Sequence, residues 1–456
     1  MPDPVLSTRH IYVGNPSLFE DLAREVSMHI PDCSNVVKLD PSYKEEPSHK
    51  VFFIRDQQVV LHDGSHLIPA CIDDHLLLLK VQTLLHPLQQ HFLKPLTGCY
   101  GTGFTNESRA KALETCEKLG IPFILGRTAI EGGNCHLFFG KDGMSRAIIG
   151  LNSLIISYIA LDDQGFFEEN EFELGTFRSM IGAPTDESLL VARNNELRIS
   201  LLAIQTRLEE LYIIQKDITT PDSIKSDIYK QASKLRATLE ELQKDLLVPL
   251  TLEDRVHYKN LAIAYEARVQ LTKSLISKEL KVPLNNIAFV FQNHFHIDLD
   301  LLVTSEGNVC FHDETKSKKL LADELPKAGD HHRTLLTQYI NASDRMPCAD
   351  ETTKLNEKLL SSIGCKTFAV PGSYRAPGEE TLNFMNGITL LKSSNETFFL
   401  TNGAPDKYYS LKLAFKNAVE ACSPATTVLF FDDNTSTLTT LLTKNEGGLR
   451  CITWVR

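Results

Sequence analysis

The sequence lacks paired cysteines, an excess of basic residues and any stretch that resembles an export signal. Its ten cysteines are scattered without a CxxC spacing, which argues against a zinc framework or a disulfide scaffold and favours a reducing compartment. The net charge is −11, so nucleic-acid binding is not the expected main function. The same negative charge favours the approach of cationic substrates.

Long apolar segments are absent as well. The longest apolar run covers residues 147–161, is interrupted by Asn152 and Ser153, and is too short to span a bilayer. The first residues do not have the charged-then-apolar pattern of a secretory signal peptide. We therefore expect a cytoplasmic protein without membrane contact. A secreted effector that lacks such a signal has the same pattern, so that alternative stays open.

The remaining composition is that of an ordinary globular protein. The chain has 456 residues, of which 42% are hydrophobic and 23% are charged, enough for a full core and for two or three domains. Short predicted strands and helices alternate in residues 1–183 and again in 283–456, which is typical of the α/β class. Two helices are predicted in the first part, over 75–93 and over 106–119, the second capped by Thr105 and Gly120.

Residues 184–282 show a different pattern. Leucines and isoleucines recur at alternating three- and four-residue steps in two stretches, separated by the helix-start signal Pro221-Asp222. This spacing predicts two helices joined by a turn into an antiparallel hairpin, followed by a helix over 252–280. Three roles stay open for this helical insertion: packing against the rest of the protein, a substrate lid, or an arm that binds a partner protein or a second copy.

A candidate nucleophile lies near the last residue of the sequence. Gly447 and Gly448 precede Cys451 within a β-prone run. Two glycines let the backbone turn tightly and let a ligand approach closely, and a cysteine on such a turn is well placed to act as a thiolate nucleophile. The alternative is a buried structural cysteine, because free cysteine is usually a small core residue.

Two carboxylates lie where the chain is expected to turn. Asp56 follows Arg55 at the end of a predicted strand over 51–54, where loops commonly build sites, although a surface Arg–Asp pair has the same sequence. Glu131 is followed by Gly132 and Gly133, so the backbone there must bend sharply or be approached closely.

A fourth segment, residues 294–303, alternates titratable and apolar residues. A strand would place four polar residues on one face: His294, His296, Asp298 and Asp300. Such a face could line a cleft, or it could be a solvent-facing edge strand. A metal site that includes the following Cys310 and His312 is a third reading, but the ligand spacing is not clear.

The four segments occur in a fixed order: 53–56 (Phe-Ile-Arg-Asp), 130–134 (Ile-Glu-Gly-Gly-Asn), 295–298 (Phe-His-Ile-Asp) and 447–451 (Gly-Gly-Leu-Arg-Cys). Together they resemble the guanidine-modifying enzymes of the pentein superfamily, which include arginine and agmatine deiminases, dimethylarginine hydrolases, peptidylarginine deiminases and amidinotransferases. The resemblance implies a pentein α/β-propeller, with five ββαβ-type units about a pseudo-fivefold axis. The catalytic domain would then comprise 1–183 and 283–456, interrupted by the helical insertion.

Several features depart from these families. Arginine deiminases have their helical domain before the Arg-Asp segment, whereas here it lies between Glu131 and His296. Asp56 is followed by two glutamines, unlike the W-x-R-D-x-G-P form of agmatine deiminases. Arg450 before the cysteine resembles arginine deiminases more than agmatine deiminases or amidinotransferases, which usually carry His there. These differences leave the non-guanidine end of the substrate unassigned.

The resemblance also implies a role for each candidate residue. Asp56 and Asp298 would bind the planar guanidinium, whose N–H donors match carboxylates. Cys451 would attack its central carbon, while His296 acts first as general acid and then as general base, oriented by Glu131. No metal or organic cofactor is implied.

Three functions stay open for this set of residues. The first is hydrolysis of the guanidino group of arginine, an arginine derivative or a protein arginine, through an S-amidino intermediate on Cys451. The second is an amidinotransferase with the same nucleophile. The third is a non-catalytic pentein module that binds a partner through the helical hairpin.

Overall fold

The computed structural model describes most of the chain: residues 9–14, 16–29, 35–44, 54–72, 105–216, 221–245, 249–292, 296–343, 349–374, 382–392, 396–404, 408–431 and 449–455. These residues fall into two compact units, one formed by 9–72, 105–160 and 274–455, and the other by 161–273. The sequence places the helical insertion at 184–282, whereas the second unit begins at 161 and ends at 273. The strand predicted over 51–54 and the helix predicted over 75–93 lie wholly or mainly outside the described residues.

The described part of the chain contains seventeen short strands in a mixed α/β architecture: β1 (Arg9–Val13), β2 (Asn35–Leu39), β3 (Val59–Val60), β4 (His66–Ile68), β5 (Phe123–Leu125), β6 (Cys135–Phe139), β7 (Ser145–Gly150), β8 (Ile287–Val290), β9 (Leu301–Val303), β10 (Val309–His312), β11 (Thr367–Val370), β12 (Ser373–Tyr374), β13 (Leu382–Asn383), β14 (Gly387–Leu391), β15 (Thr397–Thr401), β16 (Thr426–Phe430) and β17 (Thr453–Val455).

Within the described residues, five three-stranded sheets share one pairing scheme. Each central strand pairs antiparallel with one neighbour and parallel with the other, in the orders β17-β1-β2, β3-β4-β5, β6-β7-β8, β9-β10-β11 and β14-β15-β16. Parallel neighbours need a crossover connection, and each of the five crossovers contains at least one helix. The arrangement of these sheets about a pseudo-fivefold axis stays a prediction.

The helices of the first unit lie mainly in these crossovers: Pro16–His29, Asn106–Leu119, Glu314–Glu324, Asp330–Ser343, Ala349–Ser362 and Tyr409–Cys422. The helix Asn106–Leu119 is confirmed with both of its predicted caps. Thr105 Oγ1 accepts a hydrogen bond from Ser108 N at 3.1 Å, and Gly120 ends the helix in the left-handed conformation at φ 60°, which glycine adopts without strain.

The long β7–β8 crossover contains the helices Leu151–Asp163, Phe166–Glu169, Glu171–Met180, Asp186–Lys216, Asp222–Asp245, Leu252–His257 and Lys259–Leu280. Helices Asp186–Lys216 and Asp222–Asp245 pack against each other, and the predicted seam residues Leu211 and Ile228 are buried. The single helix predicted over 252–280 is wrong in one respect, because it is divided at Tyr258. No helix among the described residues has both the length and the apolar character needed to cross a membrane.

Successive sheets of the first unit are joined by buried apolar clusters. Ile11 and Val13 on β1 pack with residues of β14 and β15, whereas Tyr12, on the opposite face of β1, packs in a cluster with residues near β3 and β4. Trp454 on β17 stacks on Tyr12 with 4.0 Å between ring centroids. The strand that follows Cys451 is therefore anchored in the core.

The strand predicted over 294–303 is not observed. Ile297–Leu299 forms a short 3-10 helix, closed by a hydrogen bond from Asp300 N to Ile297 O at 2.9 Å, and β9 begins only at Leu301. Residues 296–302 are all buried, polar and apolar alike, so the alternation does not separate a buried face from an exposed one. His294 lies outside the described residues.

Candidate active site

Four irregular segments of the first unit carry the five candidate residues, and the structure brings these residues together. Asp56 lies in a turn formed by residues 54–57, and Cys451 lies in the turn before β17. Glu131 and His296 each immediately precede a 3-10 helix. All five side chains are buried, with exposed fractions of 3% or less. Buried ionisable groups of this kind are commonly held in place for function.

His296 is the centre of the cluster. Its Nε2 lies 2.8 Å from Glu131 Oε2, and its Nδ1 lies 3.6 Å from Asp56 Oδ1. Burial alone favours the neutral imidazole, but the negative charges of Asp56 and Glu131 outweigh it and raise the pKa of His296 well above its ordinary value. His296 therefore holds its proton more tightly than a free imidazole as long as the neighbouring carboxylates are charged.

The two glycines after Glu131 make this close packing possible. A Cβ atom at Gly133 would lie 2.6 Å from His296 Nδ1 and 2.7 Å from Asp56 Oδ1. A Cβ atom at Gly132 would lie 2.2 Å from the carbonyl oxygen of Arg55. Side chains at these positions would push the acid and the imidazole apart, which is a reason for both glycines.

Cys451 lies beside Asp298 and His296. Its Sγ donates to Asp298 Oδ2 at 3.9 Å, and ligand atoms of the three residues all lie within 4.8 Å of one another. Burial, with the charge of Asp298 as a further cause, raises the pKa of the Cys451 thiol to about 12, against the opposing effect of His296. These surroundings favour the thiol of Cys451 over the thiolate.

Asp56 and Asp298 each have one oxygen that accepts no hydrogen bond from the described residues, although that of Asp56 lies 3.6 Å from His296 Nδ1. Among the described residues, Asp56 Oδ1 and Asp298 Oδ1 have no hydrogen-bond donor, although both are buried. Burial raises the pKa of both carboxyl groups, that of Asp56 to about 8, while the charge of His296 opposes each shift. A buried carboxylate oxygen without a donor is costly, so the pair is suited to a ligand that supplies N–H groups and positive charge.

Two arginines lie near the carboxylates, but neither donates a hydrogen bond to Asp56 Oδ1 or Asp298 Oδ1. Arg450 Nε lies 3.4 Å from the other oxygen of Asp298, and Arg450 Nη2 donates to the carbonyl oxygen of Cys135 at 3.0 Å. Arg55 donates through Nε to the carbonyl oxygen of Gly132 at 3.3 Å. Its backbone N–H also donates to the carbonyl oxygen of Cys451 at 3.0 Å, which ties the first candidate segment to the last.

Sequence analysis missed two asparagines that position the site. Asn134 Oδ1 accepts from Ile297 N at 3.2 Å and from Gln292 Nε2 at 2.7 Å, so it links the Glu131 segment to the His296 segment. Asn386 Nδ2 donates to Cys451 Sγ at 3.1 Å. The Asn-Gly dipeptide at 386–387 marks a turn, but no local pattern indicates that its amide faces a cysteine 65 residues further along the chain.

The donor set of His296, Asp298 and Cys451 offers nitrogen, oxygen and sulfur, which is chemically suited to zinc. Cys310 and His312 are not members of this set among the described residues. The His312 imidazole is instead engaged by Glu314 Oε2, 2.8 Å from Nε2, and by two backbone N–H groups that donate to Nδ1. The metal site considered for the sequence 294–312 therefore does not form as a whole.

Comparisons with known proteins find structural likeness but no sequence match. No family model matches the sequence, and no curated protein matches it. A solved structure of agmatine deiminase from C. jejuni, a Cys-to-Ser variant with substrate bound, is similar at 9% sequence identity and a TM-score of 0.42, over 99% of this chain and 95% of that chain.

The arrangement combines three chemical capacities in one buried cluster. Cys451 supplies a nucleophile, His296 supplies a proton, and Asp56 and Asp298 supply free acceptor oxygens. A planar cation held by the two carboxylates would lie beside the sulfur, where its charge would favour the thiolate. The site is suited to nucleophilic attack on a cationic, N–H-rich carbon centre.

Proposed function

We propose that this protein hydrolyses a guanidino group through a covalent S-amidino intermediate on Cys451. The observation that carries the proposal is the pair of buried carboxylates of Asp56 and Asp298, whose Oδ1 atoms accept no hydrogen bond from the described residues, with the thiol of Cys451 beside Asp298. A guanidinium presents several N–H donors in one plane and keeps its charge. It would satisfy both oxygens and expose its central carbon to the sulfur.

The first half of the reaction forms the S–C bond. The bound cation offsets the charge of Asp298, so the thiol proton can leave to solvent and the thiolate adds to the guanidinium carbon. His296, held as an imidazolium by Asp56 and Glu131, then protonates the departing nitrogen. The C–N bond breaks, and ammonia or an amine leaves.

The second half returns the free enzyme. His296 is now neutral and takes a proton from water, whose oxygen attacks the amidino carbon. The S–C bond breaks, the electron pair returns to sulfur, the proton left on the oxygen of the intermediate restores the thiol, and a ureido product or urea leaves. Glu131 keeps the imidazole in one orientation in both halves through its 2.8 Å contact with Nε2.

A pentein-type fold is part of the same proposal. It is supported by the five sheets with one pairing scheme, by the pairing of β1 with β17, and by the apolar clusters that join successive sheets. We also propose that the helical insertion is the surface for a partner protein or a second copy. The substrate is a guanidino compound: arginine, a derivative of it, or arginine within a protein.

The test is a turnover assay on a panel of guanidines. Purified protein is incubated with arginine, agmatine, methylated arginine and an arginine-rich protein, each with and without an acceptor amine, and ammonia, amine and ureido product are measured. We expect at least one guanidine to be hydrolysed without the acceptor. A requirement for the acceptor would indicate amidino transfer instead, and no turnover of any guanidine would overturn the proposal.

A matched pair of cysteine variants assigns the nucleophile. Cys451→Ser should abolish turnover, because a serine hydroxyl is a far weaker nucleophile at neutral pH. Cys422→Ser is the control, since Cys422 Sγ donates to the carbonyl oxygen of Ala418 at 2.9 Å and a hydroxyl can make the same bond. Equal activity of the two variants would exclude Cys451 as the nucleophile.

A further inference from the structure

The side chain of Asn386 bridges the candidate nucleophile and the backbone beside it. Asn386 is fully buried, with an exposed fraction of 0%. Its Oδ1 accepts a hydrogen bond from the backbone N–H of Arg450 at 2.9 Å, and its Nδ2 lies 3.1 Å from Cys451 Sγ. The same amide therefore holds the turn and touches the sulfur.

The orientation of this amide is decided by its other partner. A backbone N–H can only donate, so the atom that faces Arg450 N must be the oxygen of Asn386. The NH₂ group then faces the sulfur and donates to it, which removes the usual ambiguity between amide oxygen and nitrogen. The backbone N–H of Asn386 is itself held by Asn383 Oδ1 at 3.3 Å.

The surroundings make such a donor valuable. Asp298 and Asp56 place negative charge near the sulfur and, together with burial, disfavour the thiolate. His296 favours the thiolate only while it carries its proton, which the proposed reaction uses in the first half. The Asn386 amide donates in every protonation state, since it does not titrate.

We infer that Asn386 is a catalytic residue that stabilises the thiolate of Cys451 by donating a hydrogen bond to Sγ. The inference rests on the proposed function in that it takes Cys451 as the nucleophile. Hydrogen bonds to a charged partner are stronger than those to a neutral one, so the amide favours thiolate over thiol. It does so when the sulfur attacks and again when the S–C bond breaks and the charge returns to sulfur.

Asn402 provides a matched comparison on the same turn. It is buried to a similar degree, its Oδ1 accepts from the backbone N–H of Leu449 at 3.2 Å, and its Nδ2 donates to the carbonyl oxygen of Asn383 at 2.7 Å. Like Asn386, Asn402 accepts a hydrogen bond from a backbone N–H of the turn, but its NH₂ group donates to a carbonyl oxygen and not to Cys451.

The experiment measures thiolate formation directly, without any guanidine. Wild type, Asn386→Leu and Asn402→Leu are treated with iodoacetamide at about pH 9, and alkylation of the Cys451 peptide is followed by mass spectrometry, because only the thiolate reacts. Leucine has nearly the shape of asparagine, so access to the sulfur is preserved. We expect Asn386→Leu to react about tenfold more slowly than wild type, and Asn402→Leu to stay within about twofold.

Two results would overturn the inference: an Asn386→Leu rate equal to wild type, or an equal slowing in both leucine variants, which would mean that the turn had merely moved. Asn386→Ala serves in place of Asn386→Leu if the latter does not fold, as judged by circular dichroism. Failure of the proposed function looks different, since it is an absence of guanidine turnover in wild type whatever the alkylation rates are.

Discussion

Among the described residues, Glu131 and His296 form one of two carboxylate–imidazole pairs with the same spacing. In each pair the Nε2···Oε2 distance is 2.8 Å, the second pair being His312 and Glu314. Only the first pair lies beside Cys451. Substitutions in the two pairs therefore test whether the charge of Glu131 is needed for activity or only supports local structure.

Glu131→Gln should lower kcat by about 100-fold. Glutamine keeps the shape of the side chain but removes a negative charge that raises the pKa of His296, so the imidazolium forms only at lower pH. The measurement is kcat against pH, in which the limb that reports the protonated imidazole should move to lower pH. Glu314→Gln is the control and should leave both kcat and the profile within about twofold; a matching loss there would contradict the assignment.

Asp56 should make the folded state less stable as pH rises. Burial, with Glu131 as a further cause, raises the pKa of Asp56 from 3.8 to about 8, and the pKa of His296 is also raised. The folded protein therefore keeps protons that the unfolded chain releases, so unfolding becomes easier as pH rises between about 4 and 8. Asp56→Asn should flatten this decline, as measured by urea denaturation at several pH values.

Asp142 is the control for the pH experiment. Hydrogen bonds from Arg146 and Met144 N lower the pKa of Asp142 to about 2. Its contribution to the free energy of unfolding is therefore present above about pH 4 and is lost only as pH falls further. Asp142→Asn should therefore lower the free energy of unfolding by the same amount at about pH 5 and pH 8. A slope changed as much by Asp142→Asn as by Asp56→Asn would show that the decline is not due to the site.

Among the elements, the 3-10 helix Gly132–Asn134 depends most closely on its residue types. Gly133→Ala should abolish most activity while the protein stays folded, because the added methyl overlaps His296 and Asp56 at 2.6 and 2.7 Å. Turnover and circular dichroism together check this outcome. Gly329→Ala is the control, since nothing lies within 4 Å of a Cβ atom there; unchanged turnover in Gly133→Ala would refute the close-packing argument.

Some elements could be predicted from the sequence because their signals are local. The helix Asn106–Leu119 carries both caps in the sequence, and β6 and β14 begin and end where the apolar runs do. The alternation over 294–303 is typical of the two faces of a strand, but Ile297–Leu299 forms a 3-10 helix instead, and the polar and apolar residues of 296–302 are all buried. His296 is extended, at φ −122° and ψ 144°, and only the next three residues turn.

The site was partly predictable for a related reason. Asp56, Glu131, His296, Asp298 and Cys451 carry chemical groups whose types and order are visible in the sequence, and the structure places them in one cluster. Asn386 and Asn134 could not be identified from the sequence, because the role of each amide depends on a hydrogen-bond partner that is distant in sequence. Such partners become visible only when the chain is folded.

At the scale of the whole molecule, the repeated pairing scheme could not be seen in the sequence. The strands are short and share only apolar character, while their crossovers vary from a single helix to the whole of residues 151–286. Pairing is set by backbone hydrogen bonds, which need no common side chains. A structural repeat can therefore persist without a sequence repeat.

Trp454 should be essential to the stability of the first unit. It is fully buried, stacks on Tyr12, and its Nε1 donates to Asp40 Oδ2 at 3.1 Å. Trp454→Ala should lower the free energy of unfolding by about 3–5 kcal/mol and reduce turnover, because the strand after Cys451 loses its anchor. Urea denaturation and the guanidine assay measure the two effects.

Trp454→Phe should cost less, about 1–2 kcal/mol, since it loses the hydrogen bond to Asp40 but keeps an aromatic ring. Phe172→Ala is the control for removing an aromatic side chain, because Phe172 is 85% exposed, and it should change the free energy of unfolding by less than about 0.5 kcal/mol. A loss in Trp454→Ala no larger than in Phe172→Ala would contradict the anchoring role.

The pairing of β1 with β17 has a consequence for how the molecule is made. Val13 and Thr453 are register partners, so one edge of β1 stays unpaired until a strand far along the chain has been made. Closing so large a loop is entropically slow compared with forming helices. On a growing chain Asp56, Glu131 and His296 precede Cys451, so the sulfur joins them only after the loop between β1 and β17 can close.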